Sequence, residues 1–306
     1  MDVLLLHNST AGGEDHTKEK LIRLLKQHGY KATYSPVNEG LADEKLLKRA
    51  DMVIAAGGDG TIRKTVTRMA GRKCPIGILP LGTANNIARS LGLGTEIATI
   101  VASWKDTKPT AVDLGIAKGP WGRTYFIEGI GLGLIGRTMS ILDSFDEHVV
   151  HTFPSAADKL HRDISVLAAL THEMPPIKAR IKFGKQKIKD DFLMLEILNI
   201  SRAGPGLVLA IDAKPTDGKL NVMTVAGDER AMLIEELERQ VAGQREGTAL
   251  HEEAVKKLDL EIDACELRID DKIVLTPADF RKLENRRAKI SVKVEPGAVN
   301  VYCGKR

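Results

Sequence analysis

Apolar residues in the first hundred positions come in short runs separated by amphipathic stretches. Residues 3–6, 31–37, 52–56 and 75–80 are runs of strand length. Between them the period lengthens to that of a helix. Leu21, Leu24 and Leu25 share one face, with Gly29 as a stop. Residues 42–50 read as helix, and Ile62, Val66 and Met69 recur at i, i+4 and i+7 up to Gly71. Ile87, Ala88 and Leu91 lead to Gly92 in the same way. Strand–helix alternation of this kind predicts an α/β domain with a parallel sheet and helices on both faces. After about residue 110 short strands dominate: 111–117, 124–130, 177–183, 187–200, 206–211, 220–226, 256–262, 266–274 and 290–295. Turn signals such as Asp217-Gly218 and Pro296-Gly297 separate them. Two helical stretches interrupt, 137–172 with a break near Pro154, and 229–242. The pattern predicts a domain over 1–113 and a mainly antiparallel β-sandwich over 114–296, with the boundary near Asp113.

Composition narrows the function classes. Apolar content of 43% and charged content of 28% are those of a globular protein, and 306 residues allow one large or two ordinary domains. A net charge of +4 with 4% aromatics argues against nucleic acid as partner. Cys74, Cys265 and Cys303 are far apart with no CxxC, so neither a zinc site nor a disulfide framework is expected, and a reducing cytoplasm fits. The opening MDVLLLH lacks a basic n-region, and no run approaches the roughly 18 apolar residues of a membrane span. Any membrane contact is expected to be peripheral.

The chemistry concentrates where strands end. The strand over 52–56 runs into Gly57-Gly58-Asp59-Gly60-Thr61 and then a helix. Glycines let a phosphate approach the backbone, and a helix start offers N–H groups and positive dipole. An aspartate there would repel phosphate directly. It implies a bridging Mg²⁺ or abstraction of a proton from an attacking hydroxyl. Two further strands end in Asn8–Gly13 and in Gly82-Thr83-Ala84-Asn85-Asn86. Parallel strands would bring all three loops to one sheet edge, the edge at which open α/β sheets bind ligands. Thr83, Asn85 and Asn86 either cap their helix or donate to phosphate or a substrate hydroxyl.

Other motifs carry less. Gly131, Gly133 and Gly136 form GxGxxG after a strand, but no second parallel strand with a terminal acid follows within the roughly 30 residues a dinucleotide unit needs. Close backbone packing at a strand–helix bend is the expected reason. His148 and His151 lack further ligands and read as a surface pair. GxSxG and HExxH are absent. Lys178, Arg180 and Lys182 share one face of a strand, and Lys185, Lys187 and Lys189 follow. That face is either simply solvated or attracted to anionic lipid headgroups.

The pairing of GGDGT at 57–61 with PLGTANNIARSLGL at 80–93 resembles the diacylglycerol kinase catalytic family, which includes bacterial soluble lipid kinases and the sphingosine and ceramide kinases. Asn8 to Gly12 resembles its first nucleotide loop, and residues 124–133 resemble its domain-joining strand. Residues 199–225, with GPGLVLAIDAKPTDGKLNVMTV, resemble its glycine-proline turn and metal segment. VEPGAVNVY at 294–302 resembles its closing strand. The resemblance implies a first domain like those of NAD kinase and phosphofructokinase, to which residues 297–306 return, a β-rich lipid-binding second domain, and ATP between them. By position it implies nucleotide contacts from Asn8, Ser9, Thr10, Ala11, Gly12, Gly57, Gly58, Asp59, Gly60, Thr61, Ile62, Arg63, Gly82, Thr83, Asn85 and Asn86. It implies Mg²⁺ on the Asp217 carboxylate and the carbonyls of Lys214 and Lys219. The family threonine of the second strand region has Ser35 as its nearest counterpart.

One departure matters. Where bacterial members carry Asp-Gly-Glu, with the glutamate as base, this chain has Asp270-Asp271-Lys272. A protonated lysine takes no proton, so the base is expected to be Asp271 or Asp59, unless catalysis is weak or absent. The expected function is ATP-dependent phosphorylation of a hydroxyl on diacylglycerol or a related lipid, by a cytoplasmic enzyme peripheral to the membrane. The alternatives are an inactive nucleotide- and lipid-binding homologue, or a small-molecule kinase like NAD kinase. A homodimer is compatible with the reading.

Overall fold

The computed structural model describes residues 1–11, 16–37, 43–148, 156–244 and 250–304. The chain divides into two compact units, Met1–Leu114 with Pro296–Arg306, and Gly115–Glu295.

In the first unit the order is β1 (Asp2–His7), α1 (Lys18–Gln27), β2 (Lys31–Pro36), α2 (Glu44–Arg49), β3 (Met52–Gly57), α3 (Asp59–Arg68), β4 (Ile76–Pro80), α4 (Asn86–Ser90) and α5 (Ile97–Ser103). β2, β1, β3 and β4 are neighbours in that order and all parallel, with Leu5 opposite both Tyr34 and Ile54. β1, β3 and β4 are buried almost throughout. This is the continuous apolar pattern of strands covered on both faces. α5 was missed in the sequence, although Ile97, Ile100 and Val101 are buried at helical spacing. Its start is capped by Glu96, which accepts from the Ala98 N–H at 3.1 Å.

The chain passes into the second unit within β5 (Thr110–Gly119), followed by β6 (Gly122–Phe126), β7 (Gly129–Gly133), α6 (Leu134–His148), α7 (Ala156–Glu173), β8 (Ile177–Phe183), β9 (Gln186–Leu198), β10 (Arg202–Ala203), β11 (Leu207–Val208), β12 (Leu220–Ala226), α8 (Arg230–Val241), β13 (His251–Val255), β14 (Lys257–Ile262), β15 (Leu267–Ile269) and β16 (Lys272–Leu275), and returns within β17 (Ala288–Val301). Every pairing from β7 to β16 is antiparallel. β9 organises this β-sandwich. Its first half pairs with β8 and its second half with β7, while β12 runs along the other edge. The burial pattern changes at the same point, from an exposed 186–191 to a buried 192–198. β12 alternates between two cores. Leu220 and Val222 face the sheet core with Phe126 and Leu260, and Met223 and Val225 face Leu167, Leu233 and Leu237 of the helices.

Two predicted strands are each two strands in the structure. Residues 124–130 are broken at Ile127 and Glu128, and 266–274 turn back at Asp270 and Asp271. Of 206–211 only Leu207–Val208 pairs. The predicted break near Pro154 lies outside the described residues. Within GxGxxG only Gly133 shows close backbone packing, a Cβ there, at φ +91°, lying 2.2 Å from the Leu193 carbonyl oxygen; a Cβ on Gly131 would meet the Glu196 carboxylate at 2.0 Å, and one on Gly136 would be in ordinary contact at 3.7 Å.

Candidate functional site

The first cluster lies at the carboxyl ends of β1, β3 and β4, which are neighbouring strands. The loops after β3 and β4 touch. Leu81 donates its N–H to the Gly57 carbonyl at 2.9 Å, and a Cβ on Gly82 would sit 2.5 Å from Gly58 Cα. Glycine at position 82 is therefore required by the crossing itself. Asp59 then locks it: its two carboxylate oxygens accept the N–H groups of Asn86 and Ile87, each at 3.0 Å. Asn85, left-handed at φ 49°, closes the loop onto itself. Its side-chain oxygen accepts from the Gly82 N–H at 3.0 Å and its amide donates to the Gly82 carbonyl at 2.8 Å. Asn85 and Asn86 are thus buried loop-builders, whereas Gly82 and Thr83 are partly exposed.

α3 starts on Gly58, and no side chain caps it. The first N–H groups of a helix have no intrahelical partners, and those of α3 begin at the Gly58-Asp59-Gly60 turn on this edge. Thr61 and Ile62 are buried beneath it and Arg63 is partly buried. The third loop is fixed to the same edge by the Asn8 N–H, which donates to the Ala56 carbonyl at 2.9 Å. Asn8 Oδ1 accepts from both the N–H and the hydroxyl of Thr10, leaving Ser9 and Thr10 exposed and Ala11 half-buried. Gly12 lies outside the described residues. His7, just before this loop, is buried, with Nδ1 3.3 Å from the Tyr34 hydroxyl. Burial, then the charge of His16, holds its imidazole below the usual range, and Glu19 opposes this.

The second cluster gathers around Asp270, which the sequence marked only as the first residue of Asp270-Asp271-Lys272. Asp270, buried and at φ 52°, accepts with its carboxylate from the N–H groups of Ile127 at 3.3 Å, Glu128 at 2.8 Å and Gly129 at 3.1 Å. Its own N–H donates to the Gly129 carbonyl at 2.7 Å. This clamp is what splits the predicted strand 124–130. Asn199 holds the same segment from the other side, its N–H donating to the Glu128 carbonyl and its amide to the Ile127 carbonyl. Beneath lies Arg268, fully buried, which donates to the Asp270 carbonyl at 2.9 Å and pairs with the equally buried Glu196. Asp271 and Lys272 are exposed at the turn.

Burial pushes Glu196 up to about 7, against the pull of Arg268. A carboxyl raised from 4.5 stabilises the fold fully below pH 4.5, and that contribution fades as pH rises to about 7. Glu196→Gln mimics the protonated acid. The variant is expected to lose less stability than wild type as pH rises from 4.5 to 8 in urea unfolding. Equal pH slopes would contradict this.

Asp217 sits in a tight loop. Its Oδ1 accepts from the Lys219 N–H at 3.0 Å, and the Lys214 carbonyl accepts from the Thr216 and Asp217 N–H groups. A carboxylate and backbone carbonyls are the hard-oxygen donors that a Mg²⁺ retaining several waters takes, although here the Lys214 carbonyl is already shared by two N–H groups, which leaves the Asp217 carboxylate as the principal donor. No cluster of three metal-binding side chains occurs among the described residues. The His148–His151 pair falls on residues whose side chains are not described.

Residues 2–117 match the diacylglycerol kinase catalytic domain. Residues 139–303 match the YegS C-terminal NAD kinase beta sandwich-like domain. The chain belongs to the diacylglycerol kinase–YegS family of lipid kinases. Among similar members, the diacylglycerol kinase of Staphylococcus haemolyticus is 29% identical over 76% of this chain and 68% of its own. That of Mycobacterium tuberculosis is 27% identical over 61% of this chain and 59% of its own, so this member spans under two thirds of that relative. A Pseudomonas aeruginosa protein named "Probable lipid kinase YegS-like" is 27% identical over 98% of this chain and 93% of its own. The crystal structure of a diacylglycerol kinase from Bacillus anthracis shares the fold, with a TM-score of 0.70 at 16% identity, covering 99% of this chain and 97% of that one.

Proposed function

We propose that this member of the lipid kinase family transfers the γ-phosphoryl group of ATP to a hydroxyl of diacylglycerol or a related lipid. The observation that carries the reading is the contact between the GGDGT and LGTANN loops beside the uncapped start of α3. Two glycine backbones meet there, and a carboxylate locks them in place. Phosphoryl transfer needs little covalent help from protein; it needs positioning and charge neutralisation. In this reading the N–H groups of Gly58, Asp59 and Gly60, with Asn8 to Gly12 and Thr83, bind phosphate oxygens. In the second unit Asp217, with the Lys214 and Lys219 carbonyls, would hold Mg²⁺, which would supply charge neutralisation.

The two candidate bases have different surroundings. Both oxygens of Asp59 already accept backbone N–H groups, so we assign it the positioning of the phosphate loops. Asp271 is exposed on a turn that the buried Asp270 holds rigid, and we assign it the hydroxyl proton. Among the described residues no helix is long and apolar enough to cross a membrane, and a lipid acceptor then requires peripheral contact.

The test is incubation with labelled ATP, Mg²⁺ and a panel of diacylglycerol, ceramide and sphingoid bases. Labelled diacylglycerol is expected. Asp271→Asn should lower transfer by on the order of 10²-fold without changing ATP affinity, and Lys272→Ala should be tolerated. Protein that binds ATP yet labels no lipid, and gains activity only as Lys272→Glu, would identify a binding homologue that has lost its chemistry.

A further inference from the structure

The outer face of the β8–β9 hairpin carries charge that folding does not explain. In the β8–β9 register Arg180 lies opposite Lys189 and Lys182 opposite Lys187. Paired residues of an antiparallel ladder point to the same face, and like charges directly opposite one another destabilise it. β9 and β14 supply some carboxylates: Asp191 opposite Lys178, Asp259 opposite Lys182, and Glu261 opposite Arg180, which it meets at 2.5 Å. These do not balance the face. Lys118, Lys182, Lys185, Lys187, Lys189 and Lys289 are exposed and make no ion pair among the described residues. Five of the six line one concavity of about 700 Å³, floored by strands β8, β9, β14 and β17. A second, of about 410 Å³, shares Arg180 and Lys189 but is also lined by Asp190, Asp191 and Asp263, so the cationic excess lies in the first. The walls are largely lysine stems, so the face is apolar at its base and cationic at its tips.

We infer that this concave cationic face of the second unit docks on the phosphate-bearing headgroups of an anionic bilayer. Anions seated between the opposed lysines remove the repulsion that the ladder carries, and the aliphatic stems suit the boundary between headgroup and acyl chain. The choice of a bilayer over another polyanion rests on the lipid-kinase reading. The binding itself needs neither nucleotide nor acceptor, so the two fail separately.

The experiment is co-sedimentation of the full chain, without ATP, with phosphatidylcholine vesicles and with vesicles containing phosphatidylserine. Wild type is expected on the anionic vesicles only, and to leave them as salt is raised from 0.05 M to about 0.5 M. Lys182→Glu, Lys187→Glu and Lys189→Glu together should lower partitioning by at least about 100-fold, at about fivefold per cation removed. The milder Lys→Gln triple guards against misfolding and should lower it by about 100-fold. Lys45→Glu, Lys105→Glu and Lys108→Glu change the net charge equally in the first unit and should bind like wild type. Failure of wild type to bind anionic vesicles, equal loss in the two charge-reversed triples, or binding to duplex RNA without binding to vesicles would overturn the proposal.

Discussion

Asp59→Ala is expected to destabilise the chain by about 3 kcal/mol or more in urea unfolding, and to weaken Mg-ATP binding by at least about tenfold in calorimetry. The Asp59 carboxylate accepts the N–H groups of Asn86 and Ile87 at 3.0 Å each. A hydrogen bond to a charged group contributes about 1.5–3 kcal/mol, and a buried donor left behind costs its desolvation as well. Asn86 is buried, so water does not readily replace the lost acceptor. Without the lock, the glycine crossing at Gly58 and Gly82 is held chiefly by the Leu81–Gly57 backbone bond. The phosphate-facing N–H groups then lose their pre-set positions, and loss of pre-organisation appears directly as lost affinity. Asp59→Asn keeps one acceptor and should lie between. An Asp59→Ala protein of unchanged stability would show that the clamp is not what holds these loops.

Asp270→Ala is the second large effect. It orphans the N–H groups of Ile127, Glu128 and Gly129, and places alanine at φ 52°, where a Cβ is strained. About 4 kcal/mol of stability should be lost, at 1–3 kcal/mol for each buried unsatisfied donor. Asp270→Asn tolerates the left-handed backbone and retains an acceptor, so about 1–2 kcal/mol is expected there. If Asp271 takes the acceptor proton, Asp270→Asn should leave ATP binding intact and lower transfer through misplacement of its neighbour. Thermal unfolding and labelled-lipid assays on the same two variants separate folding from transfer. An Asp270→Ala protein as stable as wild type would exclude the clamp.

These two residues show how tertiary contacts reassign chemistry that the sequence only marks. Asp59 stood out because an acid among phosphate-binding glycines asks for a reason, and the reasons offered were metal or proton. The structure supplies another, a helix 27 residues further along the chain whose first amides need an acceptor. Asp270 drew attention only as the first letter of a variant motif, while its partners lie more than 140 residues away. Arg268 and Glu196, 72 residues apart and fully buried, gave no signal, because charged residues on strands ordinarily read as solvent-facing.

By itself the sequence determined the alternation that makes the first unit parallel, the antiparallel character of the second, the three post-strand glycine loops and the family. These rest on local period, turn chemistry and short contiguous motifs, all of which are written within a few residues of one another. Only the tertiary structure decided where strands 124–130 and 266–274 break, why Gly82 and Gly133 must lack a Cβ, and which carboxylates hold backbone rather than face solvent. Each of those depends on a donor or an atom brought in from a distant segment, and a hydrogen-bond partner or a steric limit at long range has no signature in the local pattern.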